Sequence, residues 1–155
     1  MLRVATMSRQ TEEIKLAEEA SELHFCCLRC ADLCCKLGGP PLLQEDEQRI
    51  RTAHPEIADH IVSGAERFGS HDMLRSNERG ECICLSFDLG ISFCTIYQHR
   101  PTACREFPFV VRRSEDCVEL YAVPCRGLNN FKGIRIDSRF VKKAVCTSRD
   151  SKSLK

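Results

Sequence analysis

Apolar and polar positions change rhythm several times along this chain, and each change marks an element. From Thr11 to Leu23 the apolar residues Ile14, Ala17 and Ala20, with Leu16 and Leu23 beside them, recur at helical spacing. Ser8 or Thr11 suits the cap, and Glu12 and Glu13 fall in the first turn, where a helix favours negative charge. The spacing predicts an amphipathic helix, preceded by a flexible N-terminus over residues 1–10. Lys36-Leu37-Gly38-Gly39-Pro40-Pro41 then breaks regular structure. Its glycines read either as a plain linker or as a place where backbone curls close to a metal. A second helix is expected over Leu42–Ile50, with Glu45-Asp46-Glu47 as a solvated face. Pro55 suits the first turn of a third, running through Ile57, Ala58, Ile61 and Val62 to Gly64. Residues 65–80 are polar and poorly periodic, helix remnant or loop.

The rhythm then shortens to two. Cys82-Ile83-Cys84-Leu85-Ser86-Phe87 alternates, Asp88-Leu89-Gly90 is turn-like, and Ile91 to Tyr97 returns, so a hairpin is expected with a cysteine near each open end. A second hairpin is predicted from Phe107–Val111 and Val118–Val123, joined by the polar turn Arg113-Ser114-Glu115-Asp116. Asp137 to Val145 reads as a last short helix, followed by a fraying tail over 147–155. Together these elements predict a small, irregular α+β fold in which helices flank two short β-hairpins. No internal repeat is present. One domain, over 11–146, is the economical organisation for 155 residues.

Charge adds an exclusion. With 23 basic against 22 acidic residues, no basic surface for nucleic acid or an anionic membrane is indicated. Trp is absent, which removes the best base-stacking platform. No apolar run approaches the ~18 residues of a membrane span. The first residues lack the apolar core of a secretory signal, so a reducing cytoplasm is the expected location. There, 12 cysteines point to metal rather than to disulfides.

Those cysteines concentrate in Phe25-Cys26-Cys27-Leu28-Arg29-Cys30-Ala31-Asp32-Leu33-Cys34-Cys35. Cys27 and Cys30 form a C-x-x-C pair, the spacing that lets two sulfurs reach one ion across a tight turn. Cys34 and Cys35 are adjacent. Neighbouring side chains point in different directions, so the pair is expected to serve two metals, or two irons of one cluster. The run needs more sulfur than it holds, and later cysteines should supply it.

The later cysteines stand in Cys94-Thr95-Ile96-Tyr97-Gln98-His99-Arg100-Pro101-Thr102-Ala103-Cys104-Arg105-Glu106-Phe107-Pro108-Phe109, preceded by Cys82 and followed by Cys125 with Gly127. With the first run, this resembles the YkgJ-type cysteine-cluster family, taken as a zinc- or iron-chelating domain. The resemblance runs from Phe25 to Gly127, and its I-Y-x-x-R-P-x-x-C-R element is its most specific part. It implies eight metal ligands: Cys27, Cys30, Cys34, Cys35, Cys82, Cys94, Cys104 and Cys125. Cys26 and Cys84 add thiols to the pattern, leaving Cys82 and Cys84 as alternatives, and Cys117 and Cys146 lie outside it. The glycine-rich ending is shorter than usual.

An all-sulfur set selects zinc, Cu(I) or iron–sulfur clusters over Mg²⁺ or Ca²⁺. Eight thiolates suit two Cys₄ zinc sites or one or two iron–sulfur clusters. Arg29, Arg100, Arg105 and Arg126 adjoin ligand cysteines and would offset their charge, with Arg100 and Arg105 the candidates for contact with a bound group. Arg100 reads first as a salt-bridge or carbonyl-binding scaffold residue, Tyr97 as a packed ring, and His99 as a surface side chain. Cys26, Cys84, Cys117 and Cys146 read as small buried apolar residues or surface thiols. Three functions are expected. The first is a closed zinc module with a protein partner; the second is an iron–sulfur protein that transfers electrons or supports a modification enzyme, beside which family members occur. The third is a thiol-redox protein, although Cys27/Cys30 lacks the βαβ setting of such motifs. No catalytic nucleophile–base pair, phosphate loop or nucleotide fingerprint is present.

Overall fold

The computed structural model describes residues 1–64 and 71–150, with side chains to residue 147. Its strands are β1 (Leu2–Ser8), β2 (Ile14–Leu16), β3 (His24–Phe25), β4 (Ile61–Ser63), β5 (Asp72–Leu74), β6 (Leu85–Asp88), β7 (Ile91–Cys94), β8 (Phe109–Arg113), β9 (Cys117–Ala122) and β10 (Ile134–Arg135). Its helices are α1 (Gln44–Ala53), α2 (Pro55–Ala58), α3 (Thr102–Glu106) and α4 (Ser138–Asp150). This is the α+β class expected, built from short helices and antiparallel strand pairs. The chain gathers into two compact units, Met1–Leu28 with the described part of Glu106–Ser153, and Arg29–Arg105. The expected domain over 11–146 takes in parts of both. No helix among the described residues is long and apolar enough to cross a membrane.

The first unit is a four-stranded antiparallel sheet in the order β2-β1-β9-β8. Along β9 burial alternates, so Val118, Leu120 and Ala122 face the core. In β1 the register slips between Arg3 and Ala5, and this irregularity lets the consecutive residues Val4 and Ala5 both turn inward. Val141 and Val145 of α4 pack onto the same core with Ile136. Asp137 caps α4, its carboxylate accepting the Phe140 N–H at 2.9 Å, and that bond holds the carboxyl below its ordinary range.

Two expectations are corrected here. The N-terminus is not loose, because β1 is an inner strand with Val4, Ala5 and Met7 buried. The helix over Thr11–Leu23 does not form either. Glu12 adopts φ +56, and the Ser8 N–H donates to the Glu13 carbonyl at 3.0 Å, turning the chain back. Ile14 and Leu16 then pair along β1 opposite Met7 and Ala5. Two residues apart, they satisfy strand alternation as well as a helical stripe, and the open edge of β1 decides between them. A 3₁₀ turn at Glu18–Ala20 buries Ala20 beside Leu23.

In the second unit α1 forms as expected, but the helix from Pro55 stops at Ala58. The β-branched Ile61 and Val62 leave it for β4, which pairs with β5. Residues 65–70 of the expected loop lie outside the described residues. Both predicted hairpins are present, as β6–β7 and β8–β9. The final helix runs on to Asp150, past the boundary expected at 147, with Thr147 Oγ1 donating to the Lys143 carbonyl at 3.0 Å. Residues 151–155 of the expected tail lie outside the described residues.

The β6–β7 turn carries a testable mismatch. Leu89 and Gly90 have φ +47 and +81, the two positive values of a type I′ turn, and Leu89 is 97% exposed. A leucine there strains the backbone and packs on nothing. Replacing it by the turn's preferred residue, Leu89→Asn, should stabilise the protein by roughly 0.5–1 kcal/mol in denaturant unfolding. An unchanged or lower midpoint would contradict this.

Candidate metal centre

The core of the second unit is rich in sulfur. Cys35, Cys82 and Cys84 are three of its buried residues, beside Ala31, Leu42, Ile50, Leu74 and Ile96. Local backbone explains how they meet. Arg29 and Ala31 both take left-handed φ, +57 and +48, curling the first run before it enters a turn closed by the Leu37 N–H on the Leu33 carbonyl at 3.1 Å. Gly38 leaves that turn at φ +103, and a side chain at Gly39 would run into the Leu74 backbone. Both glycines are therefore required by the path, beyond a linker's needs. The Cys82 N–H donates to the Cys35 carbonyl at 2.7 Å, joining the second cysteine segment to the first. Register pairs Leu85 with Cys94, and the Cys84 carbonyl accepts the Thr95 N–H at 2.9 Å, which sets β7's cysteine beside Cys84. Ser92 Oγ donates to the Cys30 carbonyl at 2.6 Å.

The thiols themselves touch. Cys35 lies against Cys34, Cys82 and Cys94, and Cys82 lies also against Cys84. Hydrogen bonds from Cys35 push the Cys34 thiol down to about 7, and those from Cys35 and Cys84 push Cys82 down to about 3. Cys94 is lowered as well, by Cys35. The donors Cys35 and Cys84 are raised, because ionising either would lose those bonds. Burial raises Cys104 on α3, and the charge of Cys82, Cys34 and Cys94 adds to it. Contrary to the expectation for adjacent residues, the Cys34 and Cys35 thiols meet.

Cys27 is exposed and Cys125 half-buried, and both belong to the first unit. There the Cys26 N–H donates to the Gly127 carbonyl at 3.0 Å, and a side chain at Gly127 would strike the Cys26 carbonyl. The glycine of C-x-G is thus what lets the two cysteine-bearing segments lie alongside each other. Among the described residues, no group of three or more His, Cys, Asp or Glu stands as a ready metal cage. The thiol contacts form a branched line through Cys35 and Cys82 without closing around one point. A tetrahedral ion at ~2.3 Å from each sulfur would draw such a line together. The donor set fits zinc or iron: soft sulfurs gathered in one core, where the charge of an ionised thiol needs a counter-ion.

The I-Y-x-x-R-P element is the frame of this site. Ile96 is buried in the core, and the Tyr97 ring carries the guanidinium of Arg100 at 4.0 Å and that of Arg29 at 4.8 Å. Arg100 Nη1 donates to the Tyr97 carbonyl at 2.9 Å, and the Arg100 carbonyl accepts Arg105 Nε at 3.0 Å. Arg100 and Arg105 thus both brace the turn that precedes Cys104. His99 is half-buried, its Nδ1 3.0 Å from His54 Nε2, where a surface position was expected.

Cys84, an alternative to Cys82 in the sequence, lies against it, so the structure brings the two together. One residue has a role that the sequence reading does not give it. Asp46, expected on a solvated face, is 1% exposed. Its carboxylate accepts the Thr102 N–H at 3.1 Å, the Thr102 hydroxyl at 2.9 Å and the Leu43 N–H at 3.2 Å, and pairs with Arg49. It ties α1 to the start of α3, where Cys104 lies. Its place in the first turn of α1 was the signal, since an acid there often turns back onto the chain.

The family model CxxCxxCC, described as "Putative zinc- or iron-chelating domain", matches residues 26–130. No curated protein matches the chain, and no solved structure does.

Proposed function

Since the chain belongs to the CxxCxxCC family of metal-chelating domains, we propose that it carries a closed, all-cysteine centre for zinc or iron whose first task is structural. Within Arg29–Arg105 its ligands are drawn from Cys30, Cys34, Cys35, Cys82, Cys94 and Cys104. The observation that carries this reading is that Cys34, Cys82 and Cys94, from three separate stretches of the chain, each meet Cys35 in the core. Burial of Cys35 and Cys82 favours a closed centre over one open to substrate. When bound, the metal would neutralise the thiolates and cross-link segments distant in sequence. Around it, the residues of this chain position sulfur: Tyr97 and Arg100 brace the turn before Cys104, Asp46 anchors it, and Ser92 holds Cys30 by its carbonyl. The module's biological setting is that of an accessory to a protein partner, a modification or redox enzyme.

The test is a visible spectrum with elemental and acid-labile sulfide analysis on protein purified without oxygen or a metal-affinity tag. Stoichiometric zinc without colour supports the structural centre. Iron with sulfide and broad visible bands would replace it by an iron–sulfur, electron-transferring one. Metal-free protein with disulfides would overturn the reading. Single Cys→Ser changes at Cys34, Cys35, Cys82 or Cys94 should each reduce bound metal, whereas Cys117→Ser and Cys146→Ser should leave it unchanged.

A further inference from the structure

Two guanidinium groups sit over one ring, that of Arg100 at 4.0 Å and that of Arg29 at 4.8 Å from the centre of Tyr97. Arg29 reaches it from a left-handed backbone, φ +57, which a residue with a side chain adopts only at a cost. It is exposed, and among the described residues it makes no hydrogen bond and no ion pair, so bracing does not account for it. Arg100 donates from Nη1 to the Tyr97 carbonyl, but its buried Nε has no acceptor among the described residues. Arg105 stands on the same turn, exposed, with its Nε on the Arg100 carbonyl. Arg49, which also donates to that carbonyl, has Asp46, whereas none of these three has a carboxylate partner among the described residues.

Charges of one sign held this close repel, and a buried guanidinium N–H without an acceptor adds to the cost. An oxyanion bound here would relieve both. Stacking on an aromatic ring holds a guanidinium in place and leaves N–H groups at its edge to grip such an anion. We propose that Arg29 and Arg100, held on Tyr97, form a docking point for an acidic segment of a partner protein, with Arg105 at its flank. Planar forks match two-oxygen carboxylates. A phosphate site usually adds backbone N–H groups from a helix start. The helix start on this turn, at Thr102, already carries the Asp46 carboxylate. This surface rests on the accessory reading above only for the existence of a protein partner, and it is independent of which metal is bound.

The experiment adds a tetraglutamate peptide to the isotope-labelled full chain, purified anaerobically with its metal, and follows the arginine Nε–H signals by NMR. Those of Arg29 and Arg100 are expected to shift saturably, and less so as salt is raised. Arg29→Gln should weaken the peptide's affinity about tenfold, the size of one lost charge-assisted hydrogen bond. Arg29→Lys, which keeps the charge without the fork, should fall between Arg29→Gln and the parent. A peptide that shifts neither signal, or that binds Arg29→Gln as tightly as the parent, overturns the docking point. So does inorganic phosphate bound at these signals more tightly than the peptide, which would make this a phosphate site. Bound metal measured on the same samples separates the two readings. Metal retained without peptide binding fails the docking point alone, and peptide bound without metal fails the metal centre alone.

Discussion

Stripping the metal with a strong chelator under reducing conditions should loosen Arg29–Arg105 and leave the four-stranded sheet of the other unit protected. The reason is the composition of the core. Among the described residues of Arg29–Arg105, the buried aliphatic side chains larger than alanine are Leu42, Ile50, Leu74 and Ile96, and cysteines fill much of the rest. Small units with so little apolar core usually rely on a metal or disulfides for stability. Cysteines distant in sequence meet only in the folded chain, so metal-binding free energy is folding free energy, ~10–16 kcal/mol for small zinc-dependent folds. A chain with another core beside the metal should lose several kcal/mol, a smaller amount of the same order. Amide exchange resolved by residue is the measurement. Faster exchange at Leu74, Cys82 and Thr95, with β1 and β9 unchanged, is expected. Equal exchange with and without metal would show that the centre is not structural.

Asp46→Ala should be the most damaging substitution outside the cysteines. It removes the acceptor for the Thr102 N–H and hydroxyl and for the Leu43 N–H, and leaves Arg49 without its buried partner. Only Asp46 of the pair is buried, so the loss is chiefly that of an acceptor for buried donors, roughly 1–3 kcal/mol for each donor left unsatisfied. Denaturant unfolding should show that loss, with bound metal reduced as well because Thr102 begins the helix that carries Cys104. Asp46→Asn should cost less, since one oxygen can still accept. Glu45→Ala, at an exposed position of the same helix, should fall within about 0.5 kcal/mol of the parent. An Asp46→Ala protein as stable as the Glu45→Ala one would sink the anchoring role.

The parts of the fold legible in the chain are those where local signals agree. The β6–β7 and β8–β9 hairpins combine alternation with turn residues, and α1 and α4 combine apolar spacing with a plausible start. The N-terminal segment was misread because its signals are short. Three residues of β2 satisfy two periodicities, and the irregularity in β1 puts Val4 and Ala5 inward together, which no simple alternation describes. The helix from Pro55 was overextended because Ile61 and Val62 fit its stripe, yet a neighbouring strand was available to pair with them.

By itself the sequence determined the cysteine pattern, the family of zinc- or iron-chelating domains to which it belongs, and the segments that carry the pattern. Those follow from residue identity and spacing, which do not depend on the rest of the fold. Only the tertiary structure decided which thiols touch, that Asp46 is buried, and that Cys84 stands with the pattern cysteines. Contact across dozens of residues depends on turns and strand register, and a left-handed φ at Arg29 or Ala31 leaves no mark in a sequence pattern. Burial of a charge likewise depends on what packs above it: Asp46 differs from its neighbours Glu45 and Glu47 because Thr102 arrives there to meet it.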